Sequence, residues 1–384
     1  MRYAIWGSEL SPFTLKLRAL MTAAAVPFRN LPEEGTRAEN LRAQWRLARG
    51  KRRRTIERWP HLDALDEYPL VPFLFEDDTR ILYDSSALAA WLDRFHPSRR
   101  GALVPDDAAL AFVTQLIDEA FDELGLYLVH HARWVVSATT NDAGQRLARE
   151  FARVLPPGGQ GAMARQFARR QVRRLPYLFS VAPPDLHVDG LPPALIPPAR
   201  DGFPPTHALL EEIWHAVLDA VEGVLAHQPF LLGERFTLAD ASVYGELGMN
   251  LKDPTAAELM RRRAPHTFRW LCEVRDGAHA TRSGTLGLHE RLRPLLELLE
   301  RTFVPLMVQN AAAHERARAA GETRFNEPAF NAGRALYDGT LLGRPYRSVV
   351  KTFQVRVWRD LQALWQGLDP AARERVRRVA EIAW

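Results

Sequence analysis

WGSELSPFTLKLRAL, residues 6–20, ends one kind of secondary structure and opens another. Upstream, Tyr3 to Trp6 is a short apolar run with aromatic and β-branched residues that stops at Gly7 and Ser8, the pattern of a strand entering a turn. Downstream of Pro12, the positions Leu15, Leu17, Leu20 and Met21 recur at roughly helical spacing until Pro27 closes the segment. Serine is favoured just ahead of a helix and proline in its first turn, so Ser11-Pro12 reads as a helix start. The chain therefore begins β-α.

Working outward, residues 29–68 are polar and basic and include the cluster Arg49, Lys51, Arg52, Arg53 and Arg54. Two apolar runs follow, LVPFLF (70–75) and RILY (80–83), flanking Asp77 and Asp78 as in a hairpin. Asp84 and Ser85 then precede Ala87, Leu88, Trp91 and Leu92, an apolar face at helical spacing that opens at a good capping residue. The predicted order is β-α, a variable basic stretch, then β-β-α over residues 1–95. Pro97, Gly101 and Pro105 without periodicity mark 96–105 as a linker. Beyond it the patterning predicts helices and no strand. Leu110, Val113, Ile117, Phe121, Leu124 and Leu128 form one amphipathic stripe; Leu210, Ile213, Trp214, Val217, Val221 and Leu225 form another. Residues 182–205 hold too many prolines for a helix and read as a long surface loop or extended connection. The expected division is an all-helical domain over 106–285 and a helical extension over 286–384, striped by Val357, Leu361, Leu364, Trp365 and Leu368.

At 384 residues with 47% hydrophobic side chains, two or three packed units are expected. The net charge of +5, from 51 basic against 46 acidic residues, does not by itself imply nucleic acid. One cysteine, Cys272, excludes an internal disulfide framework and a cysteine-based metal site, and fits a reducing cytoplasm. The opening MRYAIWGSELSPF lacks the pattern of a secretion signal, and no apolar run approaches the roughly 20 residues that cross a bilayer, so a cytoplasmic protein without a membrane partner is expected.

Three separated segments resemble the glutathione S-transferase superfamily, in its serine-type, bacterial-like form, over roughly residues 1–280. The first is WGSELSPFTLKLRAL, where Ser11 matches the serine beside a proline that opens the first helix; Ser8 is the alternative hydroxyl. The second is VPF, where Val71 and Pro72 match the signature in which a cis-proline exposes the preceding backbone to the cysteinyl part of glutathione. The third is DSSAL, where Asp84 and Ser85 match the acidic-serine pair that binds the γ-glutamyl end. A fourth, FLLGERFTLADASVYG (230–245), resembles the capping motif of the family's helical domain, with Thr237 and Asp240 as a reciprocal capping box. The resemblance implies a thioredoxin-like N-terminal domain followed by an all-α C-terminal domain. It further implies glutathione as co-substrate, no metal, a small electrophilic acceptor, and a homodimer. Residues 29–68 are longer and more basic than the family's pattern there, and match no contact for the glycyl carboxylate. The last hundred residues lie outside the common domain.

Each of these residues also has a plainer role. Ser11, Asp84 and Ser85 can act as helix caps alone, and Val71-Pro72 as an edge-strand turn. The arginine clusters, without interleaved stacking aromatics, read first as solvated helix faces rather than a nucleic-acid surface. His130 and His131 adjoin Trp134 and point in different directions on a helix, so at most one can face a cleft; they lack a third ligand at metal spacing. Trp358 and Trp365 read as core. The function expected is a glutathione transferase; the alternatives are a non-catalytic glutathione-binding or scaffold protein of the same fold, and an interaction or nucleic-acid module using the basic insertion.

Overall fold

Strand β1 (Tyr3–Trp6) leads through Gly7 into helix α1 (Pro12–Ala23), which returns the chain to β2 (Phe28–Leu31), parallel to β1. In this computed structural model residues 2–67, 71–98 and 100–381 are described. The basic stretch contains its own helix, α2 (Arg37–Arg53), and a two-residue strand, β3 (Glu57–Arg58). β4 (Phe73–Glu76) and β5 (Arg80–Tyr83) form the expected hairpin, and α3 (Ser85–Phe95) closes the unit. The sheet order is β2-β1-β4-β5-β3, with β4 antiparallel to β1 and to β5, and β3 parallel to β5. A parallel β-α-β pair extended by an antiparallel hairpin and a closing helix is the thioredoxin-like arrangement.

The variable stretch is thus ordered, and its start is written in the sequence. Thr36 and Glu39 form a full capping box: the Thr36 backbone donates to the Glu39 carboxylate at 2.7 Å, and the Glu39 backbone donates to the Thr36 hydroxyl at 3.2 Å. The low apolar content of α2 hid it, since only Asn40, Ala43, Leu47 and Gly50 are buried.

The helical domain begins at α4 (Ala108–Ala120), which Asp107 caps by accepting from Leu110 N at 3.0 Å. It continues through a π-helical turn (Phe121–Gly125) into α5 (Leu126–His131) and a second such turn (Ala132–Val136), giving one long irregular helix. Then come α6 (Ala143–Glu150), α7 (Gln160–Arg174), the proline-rich connection, α8 (His207–Leu225), α9 (Leu238–Gly248), α10 (Pro254–Arg263) and α11 (Pro265–Arg275). At the head of α9, Thr237 donates to the Asp240 carboxylate from its backbone at 2.9 Å and its hydroxyl at 2.8 Å, and Leu231 N donates to the same group at 2.8 Å. Burial pushes the Asp240 carboxyl up to about 6 despite these donors.

The last hundred residues hold α12 (Arg293–Ala319), α13 (Asn326–Asn331), a hairpin of β6 (Leu336–Leu341) and β7 (Arg344–Val349), then α14 (Thr352–Gly367) and α15 (Pro370–Arg377). The expectation that no strand follows residue 105 is corrected here. Leu342 (φ 48°) and Gly343 (φ 75°) both adopt the left-handed conformation of a two-residue hairpin turn. The alternation was masked by Gly339, where a Cβ would stand 2.4 Å from the Tyr346 ring. Trp358 and Trp365 are core residues, as read.

The two domains meet along α1 and α9. A Cβ on Gly245 would lie 2.7 Å from Pro12 O and 2.9 Å from Lys16 Cβ, so glycine permits the close approach. Because one of those obstacles is backbone, Gly245→Ala is expected to cost about 1–3 kcal/mol; an unchanged denaturation midpoint would show that the helices can separate freely.

Candidate functional site

The register of the sheet assembles the predicted site. Leu31 pairs with Trp6, Trp6 with Phe73, Phe73 with Tyr83, and Tyr83 with Arg58, so five residues form one row across the sheet. The loop 7–11 follows Trp6, Val71-Pro72 precedes Phe73, and Asp84-Ser85 follows Tyr83. All three motif segments therefore leave the same edge, with Arg58 at its end.

In the first loop, a Cβ on Gly7 would lie 2.4 Å from the Thr14 hydroxyl, which allows only glycine where the chain turns onto α1. Leu10 O is held by Arg133 at 2.9 Å, and that buried guanidinium also donates to Asp253 at 2.8 Å and Met249 O at 2.6 Å. The helical domain thereby fixes the loop. Ser8 Oγ accepts from Leu10 N at 3.1 Å, and the buried Glu150 carboxyl lies near it. Ser11 stands at the N-cap of α1 with extended backbone (φ −98°, ψ 121°), half-buried, and its side chain makes no capping bond. Of the two candidate serines, Ser8 is thus engaged within its own loop by Leu10 N, whereas the Ser11 hydroxyl is not spent on the helix.

Val71-Pro72 is a cis peptide, Val71 is 41% exposed and Pro72 is buried at the head of β4. Asp84 caps α3 with φ 73°, accepting from Ala87 N at 3.1 Å and from Arg58 Nε at 2.5 Å; Ser85 beside it is only 4% exposed. Burial alone would raise the Asp84 carboxyl, but the Arg58 and Arg356 guanidiniums reverse this and hold it below the usual range. Arg58, Asp66 and Arg356 are site neighbours that the sequence did not single out. Arg58 sits in the basic stretch with no local pattern to distinguish it, and Arg356 comes from the extension.

Glu150 is the other group missed. Burial pushes its carboxyl up to about 7, outweighing the nearby Ser8 hydroxyl and Arg18 guanidinium. A carboxyl raised in the fold stabilises fully below its unfolded value, and that contribution is lost as pH rises through the folded value. Relative to Glu150→Gln, the wild type is therefore expected to lose on the order of 1–3 kcal/mol between about pH 4.5 and 7. Parallel denaturation curves for the two proteins across that window would refute this.

His131 is fully buried and does not open onto the motif edge. The His131 ring lies 2.9 Å from the Ser180 hydroxyl and 3.4 Å from Glu211, and burial depresses the imidazoles of both His130 and His131. Arg52 and Arg53 are exposed at the end of α2, the solvated-face arrangement. Among the described residues there is no group of three metal-ligating side chains, and no helix is long and apolar enough to cross a membrane.

Residues 197–273 match the family model described as "Glutathione S-transferase, C-terminal domain". No curated protein matches the chain. Among solved structures, the beta-etherase LigF from Sphingobium sp. strain SYK-6 is 14% identical, with 71% of this chain and 95% of that one covered, at a TM-score of 0.41. A glutathione S-transferase of Ceriporiopsis subvermispora in complex with glutathione is 16% identical over 72% of this chain and 98% of that one, at 0.42. A glutathione S-transferase from Rhodospirillum rubrum F11 is 14% identical over 77% and 91%, at 0.37. Residues 197–273 are thus similar to the C-terminal domain of glutathione S-transferases, and the sheet upstream of them has the thioredoxin-like order.

Proposed function

We propose that the chain binds glutathione along the sheet edge and activates its thiol for attack on a small electrophile. The observation that carries this reading is the single row Leu31–Trp6–Phe73–Tyr83–Arg58, which delivers Ser11, Val71-Pro72 and Asp84-Ser85 to one edge. The exposed Val71 backbone would pair with the cysteinyl unit of the peptide. Asp84 and Ser85 would receive the γ-glutamyl end, using the hydroxyl and the free amides at the start of α3. Ser11 would then donate to the sulfur. The thiol proton leaves to solvent, the thiolate attacks the electrophilic carbon, a C–S bond forms, and the displaced group departs with the bonding pair.

Calorimetric titration with glutathione tests this. Saturable binding is expected, weakened by at least tenfold in Ser85→Ala. A protein that binds no glutathione is instead a scaffold on the same fold. The proposal includes domain limits of 1–95, 106–285 and 286–384 with a linker over 96–105, a cytoplasmic location and a homodimer; light scattering on the purified chain reads the last of these.

A further inference from the structure

Helix α14 lies antiparallel against the long helix that starts at α4. Arg375, just beyond it, pairs with Asp107 at 2.7 and 3.0 Å, Trp365 packs on Phe112 with ring centroids 5.2 Å apart, and Gln354 donates to the Tyr127 hydroxyl at 2.8 Å. Lys351, at its N-cap, donates to the same hydroxyl and to Tyr177 O at 3.1 Å. The extension is therefore tied to the helical domain from Asp107 to Tyr127.

In the middle of this seam the helix reaches across to the thioredoxin-like sheet. Arg356 is 5% exposed at its side chain, and its guanidinium stands 2.7 Å from Asp66, 3.0 Å from Asp360 and 4.0 Å from Asp84. One turn on, Arg359 pairs with Asp63 at 2.9 Å. Arg58 approaches the same two aspartates from the sheet, at 2.5 Å from Asp84 and 3.6 Å from Asp66. Asp66 and Asp84, with Asp360 behind them, and two guanidiniums are thus gathered beside Ser85 at the head of α3. An isolated cation would be repelled by the guanidiniums and an isolated anion by the carboxylates. An α-amino-acid headgroup, carrying an ammonium and a carboxylate on one carbon, is complementary to both halves.

We propose that Arg356, supplied by the C-terminal extension, is a specificity-determining residue for the γ-glutamyl headgroup of glutathione: it faces the headgroup carboxylate while Asp66 and Asp84 face the ammonium. This rests on the glutathione reading above. Arginine suits the position because its planar fork can hold Asp66 and Asp360 and still present a face toward the α3 head. The extension then belongs to the ligand site rather than lying outside it, which gives residues 286–384 a role in recognition.

The test compares glutathione with cysteinylglycine, which keeps the thiol and the glycyl carboxylate but lacks the γ-glutamyl group. Both are titrated calorimetrically into the full chain, as wild type, Arg356→Met, Arg356→Gln and Arg356→Lys, with urea unfolding recorded for each. The wild type is expected to prefer glutathione. Arg356→Met should reduce that preference by roughly 10- to 100-fold, the loss of a charge-assisted hydrogen bond, through weaker glutathione binding alone. Arg356→Lys should restore part of it. If Arg356→Met does not fold, Arg356→Gln carries the same comparison with an uncharged polar side chain of similar reach. An unchanged ratio, or an equal loss for both peptides, would overturn the proposal and leave Arg356 as a structural ion pair, with glutathione binding by the wild type still standing. A wild type that binds neither peptide overturns the glutathione reading and this inference together.

Discussion

Replacing Lys16 by methionine is expected to destabilise the protein by about 3–5 kcal/mol, the cost of removing one partner from a buried ion pair. Lys16 is 1% exposed on α1, with its ammonium 2.6 Å from Asp118 and 2.7 Å from Asp122 on the opposing helix. Ser86 accepts from it at 2.7 Å and donates to Asp122 at 3.2 Å. Burial alone would lower the Lys16 ammonium, but the two aspartates more than reverse that and hold it charged. Methionine fills a similar volume and leaves two carboxylates facing each other in a dry interface. The nearby Glu246 carboxyl, fully buried and without a hydrogen-bond partner, offers no relief. Denaturant unfolding at neutral pH reads the loss. It should shrink as pH falls, since protonation removes the uncompensated charge, and Asp118→Asn with Asp122→Asn should recover part of it. A loss below about 1 kcal/mol would mean that solvent already screens the group, as at a surface pair.

Ser11→Ala is expected to raise the pKa of bound glutathione by roughly one to two units while changing its affinity little. A free thiol near 8.5 is only a few per cent thiolate at neutral pH, and the thiolate is the nucleophile. The start of α1 favours an anion by about 0.3–1 kcal/mol, and a hydroxyl donating to a charged acceptor contributes about 1.5–3 kcal/mol. The second contribution is the one alanine removes. Thiolate absorbance in the ultraviolet, titrated against pH with the protein saturated by glutathione, separates this from weakened binding. Turnover of a model electrophile should fall near neutral pH, with the deficit closing as hydroxide ionises the thiol unaided. Ser8→Ala should leave the thiol pKa in place, because that side chain is buried in the loop against Leu10 N. Should Ser8→Ala produce the shift and Ser11→Ala not, activation belongs to Ser8. If neither does and wild-type glutathione shows no depressed pKa, the protein binds the peptide without activating it.

The sequence alone determined the elements whose causes lie within a few residues. Gly7 and Pro12 around Ser11 specify the strand-turn-helix, Thr237 and Asp240 specify the head of α9, and the spacing of Leu110 to Leu128 specifies the long helix. The motif residues were legible for the same reason, since each stands at a local stop or start. Where local signals conflicted, the reading failed. The glycine and proline of the β6–β7 hairpin obscured its alternation, and the polar surface of α2 obscured its helical period.

Tertiary structure alone decided which charges act together. Lys16 and Asp122 are 106 residues apart, Arg133 and Asp253 are 120 apart, and nothing near either arginine or lysine marks it as buried rather than solvated. Arg58 and Arg356 are two among 51 basic side chains until the sheet row and the seam of α14 bring them to Asp84. Backbone hydrogen bonds and apolar spacing repeat along the chain and can be read from it. The partner of a buried charge is chosen by the packing of distant elements, which is why the motif edge was visible in the residues and its charged surroundings only in the fold.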